Sequence, residues 1–321
     1  MKIDTQHHIL PDCYKKTLAN AGITTHTAVG GLLPQWSPEL MIELMDRCEI
    51  STVITSIVDP GINFIDEKFT ANIARVCNIY SADLIQKYPQ KIGAFGLLPM
   101  PYVGASLLEI EHSLDTLKLD GIVLLSNYSE KYLGDETFRP VFEELNRRNA
   151  VVFIHPTTPV VYNPKAILPP GTLDFVFDTT RTIVSLLLSG YISKFNKIRF
   201  LVAHAGGTIP FVSTRLSYLE SLVKQRPDRM PGEFNNVPEG VINALKTLYY
   251  DTTLSSKSPT LKSLLDFVDS KKITIGTDFP FLPEAIVKEE LNDLEHFLLD
   301  KDLRDQLYFK TALELFPRFN Q

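Results

Sequence analysis

Ala150-Val-Val-Phe-Ile-His155-Pro156 and Ile198-Arg-Phe-Leu-Val-Ala-His204-Ala-Gly-Gly207 share one plan. In each, a short apolar run rich in β-branched residues ends on a histidine and passes at once into turn-forming residues. Such runs read as strands. Working outward, the same pattern recurs at Lys2–Leu10, Thr52–Ile57, Ile92–Leu97, Gly121–Leu125, Leu248–Thr253 and Lys272–Asp278. Between the runs lie amphipathic stretches of helical period: Pro38–Cys48, Glu67–Lys87, Ala105–Leu117, Arg139–Asn149, Arg181–Lys194, Thr208–Lys224, Pro259–Val268 and Glu284–Phe297. Strands alternating with helices of this length imply βαβ units and a parallel sheet. Eight of them predict an α/β protein with a single (β/α)8 TIM barrel, for which about 250 residues is typical. The chain has 321 residues, so a surplus must sit in insertions. Two are expected, at about 22–36 after the first strand and about 156–171 after the fifth. Both would hang over the face where barrel active sites are built. With no linker, low-complexity segment or internal repeat, residues 1–321 read as one domain.

Composition narrows the function. The chain is 44% hydrophobic and 22% charged, which excludes disordered, collagenous and disulfide-scaffold classes. Asp and Glu outnumber Lys and Arg by 38 to 32, and no basic stripe recurs, so neither nucleic acid nor an anionic membrane is an expected partner. Three cysteines (Cys13, Cys48, Cys77) without a CxxC pair fit a reducing compartment. The start Met-Lys-Ile-Asp-Thr-Gln-His-His is too polar for a signal peptide, and no run of eighteen apolar residues occurs; the expected location is cytoplasmic. Gly30-Gly31 and Gly206-Gly207 lack a phosphate-binding context, and no Gly-x-Ser-x-Gly elbow is present.

Of seven histidines, His26, His112 and His296 fall in a loop or on charged helix faces and read as structural or solvated. The other four stand at strand ends. Gln6, His7 and His8 close the first strand, His155 the fifth and His204 the sixth, while Asp278 closes the eighth. On a barrel these groups surround one mouth. Imidazole with carboxylate suits zinc, manganese or iron. Alternation puts Gln6 and His8 on one face of the first strand and His7 on the other, which makes His7 the least suited ligand of that run.

These residues resemble the amidohydrolase superfamily, and within it the metal-dependent decarboxylase branch of the aminocarboxymuconate-semialdehyde and 6-methylsalicylate decarboxylase types. The resemblance covers essentially the whole chain. It is carried by Trp36-Ser-Pro-Glu with Met45-Asp46, Leu98-Pro-Met-Pro, Val152-Phe-Ile-His-Pro, His204-Ala-Gly-Gly and Gly276-Thr-Asp-Phe-Pro-Phe. Ser126-Asn-Tyr, Tyr132-Leu-Gly-Asp, Phe142-Glu-Glu-Leu-Asn and Phe177-Asp-Thr-Thr-Arg are most similar to the 6-methylsalicylate type. The resemblance implies one divalent metal ion, with zinc expected and manganese or iron as alternatives, held by Gln6, His8, His155 and Asp278. It implies a homodimer, and it implies that His204 stands beside the metal and acts on water or substrate. The family pattern on the first strand is His-x-His, and here its first member is Gln6. An amide oxygen is a weaker donor to zinc, so Gln6 either coordinates, hydrogen-bonds a bound water or faces substrate.

The aminocarboxymuconate type carries an arginine for a substrate carboxylate in the loop after the first strand, and Thr24–Trp36 has none. That substrate is not expected. Trp36 and Phe281 are candidates to hold a flat apolar ring, with core packing as the alternative for each. Arg181, at the start of a helical run, is a candidate carboxylate partner, with surface solvation as the alternative. The expected function is non-oxidative decarboxylation of a small aromatic or unsaturated carboxylic acid. Two neutral histidines and one aspartate leave a divalent site at about +1, which favours an anionic substrate. Asp278 or His204, or a metal-bound water between them, would bring the proton to the carbon that loses CO2. The alternatives are metal-dependent hydrolysis of a cyclic amide or lactone, and a non-catalytic member that has lost its metal.

Overall fold

Eight parallel strands follow one another in chain order: β1 (Ile3–His8), β2 (Thr52–Ser56), β3 (Ile92–Leu97), β4 (Gly121–Leu125), β5 (Val151–His155), β6 (Arg199–Val202), β7 (Tyr249–Asp251) and β8 (Ile273–Thr274). The computed structural model describes residues 1–26, 28, 30–63, 65–161, 168–226 and 232–320. Each strand pairs in parallel with the next. A parallel bridge between Asp4 and Ile275 and the 2.9 Å bond from the Thr5 N–H to the Ile275 carbonyl bring β8 back to β1. The result is a nearly closed barrel with helices outside it. Every residue of β1 to β5 is buried, as strands filled on the inside and covered on the outside must be. Phe95 and Phe153 stack across the interior at 5.2 Å between ring centroids.

The β1–β8 seam is fastened by a buried acid. The Asp4 carboxylate accepts the Thr277 hydroxyl (2.6 Å), the Thr277 N–H (3.1 Å) and the Gln6 N–H (3.1 Å), and Nδ1 of His7 lies 2.7 Å away. Between Asp4 and His7 the pairing with β2 slips, so three steps on β1 oppose two on β2. This irregularity turns His7 toward Asp4 and leaves His8 facing the mouth. The last strand is shorter than the Lys272–Asp278 run in the sequence. Gly276 lies against its neighbours so closely that a Cβ would sit 2.2 Å from the Thr253 hydroxyl, and Asp278 takes φ 56°, outside any strand conformation.

The helices that follow the strands are α1 (Pro38–Arg47), α2 (Glu67–Lys87), α3 (Val103–Glu111), α4 (Arg139–Arg147), α5 (Asp174–Leu188), α6 (Ile209–Gln225), α7 (Ser258–Phe267) and α8 (Glu284–Phe297). Side-chain caps fix two starts: the Ser37 hydroxyl accepts the Leu40 N–H, and the Asp66 carboxylate accepts the Phe69 N–H. One expectation is corrected. The helix expected over Arg181–Lys194 begins seven residues earlier, at Asp174, and breaks at Gly190 (φ 77°) before a short turn over Tyr191–Lys194. Arg181 therefore sits in the second turn of α5 rather than at a helix start. Among the described residues no helix is long and apolar enough to cross a membrane.

Candidate active site

The strand-end side chains converge. Nδ1 of His8 lies 2.9 Å from the Ser56 hydroxyl, whose own hydrogen points to the His7 carbonyl. Nδ1 of His155 lies 2.8 Å from the Pro156 carbonyl, which can only accept. Both rings thus carry their hydrogen on Nδ1 and turn an Nε2 lone pair inward. Those two Nε2 atoms are buried without a hydrogen-bond partner. The Asp278 carboxylate approaches His8 Nε2 at 2.9 Å without the alignment of a hydrogen bond. One ligand atom from each of His8, His155 and Asp278 lies within 4.8 Å of the others.

Two orphaned imidazole lone pairs beside a carboxylate fit a divalent cation. Electrostatics agree. Burial pushes His8 below its ordinary pKa in spite of Asp278, and burial with the nearby His8 and His204 pushes His155 well below, so both favour the neutral, ligating form. Burial alone would raise Asp278, but the imidazoles of His204 and His8 beside it hold its carboxylate far below the usual range.

His204 closes the ring of groups. Its Nε2 is 3.8 Å from Asp278, and its backbone N–H donates to Asp251 at 3.0 Å. His204 and Ala205 both have φ 54° and are followed by Gly206 and Gly207 at positive φ, a run held by its surroundings. A Cβ on Gly207 would lie 2.1 Å from the Val176 carbonyl. Burial works against a charged His204, yet Asp278, Asp251 and Glu290 raise it above its ordinary value.

Gln6 does face the same side of β1 as His8, but its amide is taken at both ends. In the orientation that satisfies its neighbours, Oε1 accepts from His204 Nε2 at 2.9 Å while the NH2 donates to Asp251 at 2.6 Å and to the Thr253 hydroxyl at 3.2 Å. Asp251 is the site residue that sequence reasoning missed. It ends β7 as Tyr-Tyr-Asp, the same strand-end carboxylate signal that singled out Asp278. Burial pushes it up to about 7 against the pull of His204 and two backbone N–H groups.

Beside these groups opens a cavity of about 520 Å³. His155, His204 and Asp278 line it, and Val58, Phe175, Leu254 and Phe281 supply apolar wall. The Phe281 ring lies 5.5 Å from that of His8. Leu254 holds φ 52° and leaves 49% of its surface open. Both insertions reach the mouth: Ala28 and Gly171 line the cavity, and the Gly171 N–H donates to the Ala28 carbonyl at 2.9 Å. Residues 27, 29 and 162–167 of those insertions, and the side chain of His26, lie outside the described residues. Two aromatic and charged candidates are elsewhere. Trp36 is 5% exposed and packs edge-on against Tyr80 in the core, and Arg181 is exposed on α5; neither lines the cavity. Among the described residues no Lys or Arg lines it.

Comparison with known proteins agrees with this geometry. A family model described as amidohydrolase matches residues 3–318. The chain is 34% identical to a 6-methylsalicylic acid decarboxylase of Penicillium expansum, over 99% of this chain and 96% of that one. A solved structure of an amidohydrolase II superposes with a TM-score of 0.88 at 25% identity, covering 99% of this chain and all 100% of the other. A dihydroxybenzoic acid decarboxylase from Polaromonas, solved with bound manganese and the inhibitor 2-nitroresorcinol, superposes with a TM-score of 0.83 at 20% identity over 100% and 97% of the two chains.

Proposed function

Because this chain belongs to the amidohydrolase family, we propose that it is a metal-dependent carboxy-lyase that removes CO2, without oxidation, from a small aromatic carboxylic acid. The observation that carries the reading is the pair of buried, unpartnered Nε2 atoms of His8 and His155 beside Asp278, at one end of an apolar-walled cavity. Relatives named as decarboxylases of 6-methylsalicylic acid support the class of substrate. His8, His155 and Asp278 are the residues that would hold one divalent ion. Zinc is the expected metal on ligand type, and the manganese of the Polaromonas neighbour supports a divalent ion of this kind. When bound, the metal supplies positive charge and Lewis acidity for a carboxylate and an adjacent hydroxyl.

The chain's own residues do the rest. Phe281, Phe175 and Leu254 flank an aryl ring and keep water from it, which strengthens every charge interaction inside. His204, steered by Gln6 and Asp251 and facing Asp278, moves a proton to the ring carbon that bears the carboxylate. The new C–H bond forms, the C–C bond breaks, CO2 leaves, and its bonding electrons return to the ring. The match over residues 3–318 supports reading the chain as one domain. Exposed Phe211, Tyr218 and Leu222 along α6 support a homodimer.

The test is to incubate the protein, with its metal content measured by elemental analysis, against a panel of hydroxybenzoic acids including 6-methylsalicylic acid, and separately against lactones and cyclic amides. CO2 with the matching phenol is expected from the first panel. Ring-opened acid from the second, with no CO2 from the first, would show a hydrolase instead.

A further inference from the structure

Ser126-Asn127 and Tyr132, close together in the chain, meet the distant Asp178 at its carboxylate. Asp178 lies fully buried on α5. Its Oδ2 accepts the Ser126 hydroxyl and the Asn127 amide (2.9 Å), and its Oδ1 accepts the Tyr132 hydroxyl (2.8 Å). Having given its hydrogen to Asp178, the Ser126 hydroxyl accepts the Thr157 N–H at 3.0 Å. The Asn127 amide also donates to the Thr158 carbonyl at 3.1 Å, and the Ser126 N–H donates to the His155 carbonyl at 2.9 Å. The carboxylate therefore grips both sides of the short segment Pro156–Thr158. That segment carries the Pro156 carbonyl, the acceptor for His155 Nδ1.

We propose that Asp178 is a positioning residue: through Ser126 and the 156–158 segment it locks His155 with its hydrogen on Nδ1 and its Nε2 lone pair turned into the site. None of Ser126, Asn127, Tyr132 and Asp178 lines the cavity, so the action is on the imidazole rather than on a substrate. Ser126 and Asn127 share Oδ2 of this carboxylate, which makes that oxygen a stiff anchor, and its stiffness passes along bonds that each have one sense. The consequence for metal affinity rests on the function proposed above; the locked tautomer does not.

Tyr132 gives the control, because its hydroxyl binds the other oxygen of the same carboxylate and, among the described residues, makes no hydrogen bond to 156–158. The experiment compares Ser126→Ala and Tyr132→Phe with the natural chain, in protein carrying 15N-labelled histidine. In the metal-free form, the ring-nitrogen spectrum of His155 is expected to report a single Nδ1–H tautomer in the natural chain and in Tyr132→Phe, and a mixture in Ser126→Ala. In chelator competition, Zn2+ affinity is expected to fall about 10–100-fold in Ser126→Ala, the range for lost support of a ligating histidine, and to stay within about twofold in Tyr132→Phe. Asp178→Asn is expected to follow Ser126→Ala, which alone carries the comparison if the Asp178 variant does not fold. Natural tautomer and natural affinity in Ser126→Ala would overturn the proposal, and so would equal shifts in Tyr132→Phe, which would mark a general packing effect. If the natural chain itself takes up neither zinc nor manganese nor iron, the metal reading fails, and the tautomer comparison still decides this one.

Discussion

Replacing Gln6 by methionine keeps the volume and apolar stem of a fully buried side chain and removes only its amide. Three contacts vanish: the bond from His204 Nε2 at 2.9 Å, the bond to Asp251 at 2.6 Å and the weaker bond to the Thr253 hydroxyl at 3.2 Å. The first leaves a buried imidazole N–H without an acceptor; the second strips a carboxylate of one of its donors, although the N–H groups of His204 and Thr253 remain at 3.0 Å each. An orphaned buried polar group costs about 1–3 kcal/mol and a hydrogen bond to a charged group about 1.5–3, so the variant should lose about 3 kcal/mol of stability. For a chain of this size that is a fall in Tm of roughly 6 °C, taking about 2 °C per kcal/mol. Metal content should stay at the natural level, since the amide is engaged with His204 and Asp251. Activity should fall with His204 no longer steered. The double variant Gln6→Met/His204→Ala should be no slower than His204→Ala alone, because the two act as one unit. Calorimetry, elemental analysis and steady-state rates read the three quantities. Loss of metal in Gln6→Met would make the glutamine a ligand, and a Tm within about 1 °C of the natural chain would refute the hydrogen-bond reasoning.

Other outcomes follow from the same site. His155→Ala and Asp278→Ala each remove one of three donor atoms, so each should purify without metal and without activity; full occupancy by elemental analysis in either variant removes that residue from the coordination shell. Leu254→Gly should leave stability within about 1 kcal/mol, relief of the left-handed leucine offsetting the added freedom of the unfolded chain. The same change removes half-exposed apolar wall worth about 1 kcal/mol to a bound ring, so KM for an aromatic acid should rise about fivefold, and an unchanged KM would place the ring elsewhere. Gly207→Ala combines positive φ with a Cβ only 2.1 Å from the Val176 carbonyl, and a loss of at least about 2 kcal/mol is expected in denaturant unfolding.

The sequence made the barrel legible because its strands are short apolar runs with abrupt ends, and α2 and α8 fall on the residues their periodicity marks out, Glu67–Lys87 and Glu284–Phe297. His8, His155, His204 and Asp278 were legible for the same reason: a polar group at the end of an apolar strand is conspicuous. What stayed hidden depends on tertiary contacts. The helix Asp12–Asn20 buries only Tyr14, Thr17 and Leu18, too thin a stripe to stand out. Asp251 carried the right signal but no neighbouring histidine to draw attention to it. The motif fragments around Ser126, Tyr132 and Phe177 were visible one by one, and nothing in their spacing told that they close on Asp178. Trp36 illustrates the converse, an aromatic beside a loop that the fold takes into its core.

The Asp4 fastening at the seam also sets an order of events. His8 and Asp278 are 270 positions apart along the chain, yet they stand across the joint where the first strand meets the last. Contacts of such long range form only after the intervening chain has been gathered in, and the loss of entropy in that gathering precedes any reward from them. During synthesis, a chain released before Thr277 and Asp278 emerge has neither the partners of Asp4 nor the carboxylate of the site. An ion that binds His8, His155 and Asp278 together therefore binds the finished barrel and not its precursors, and by mass action it draws the first and last strands shut. Under the proposed ligand set, loading and completion would be one event, and uptake of the ion would report on whether a given molecule has finished folding.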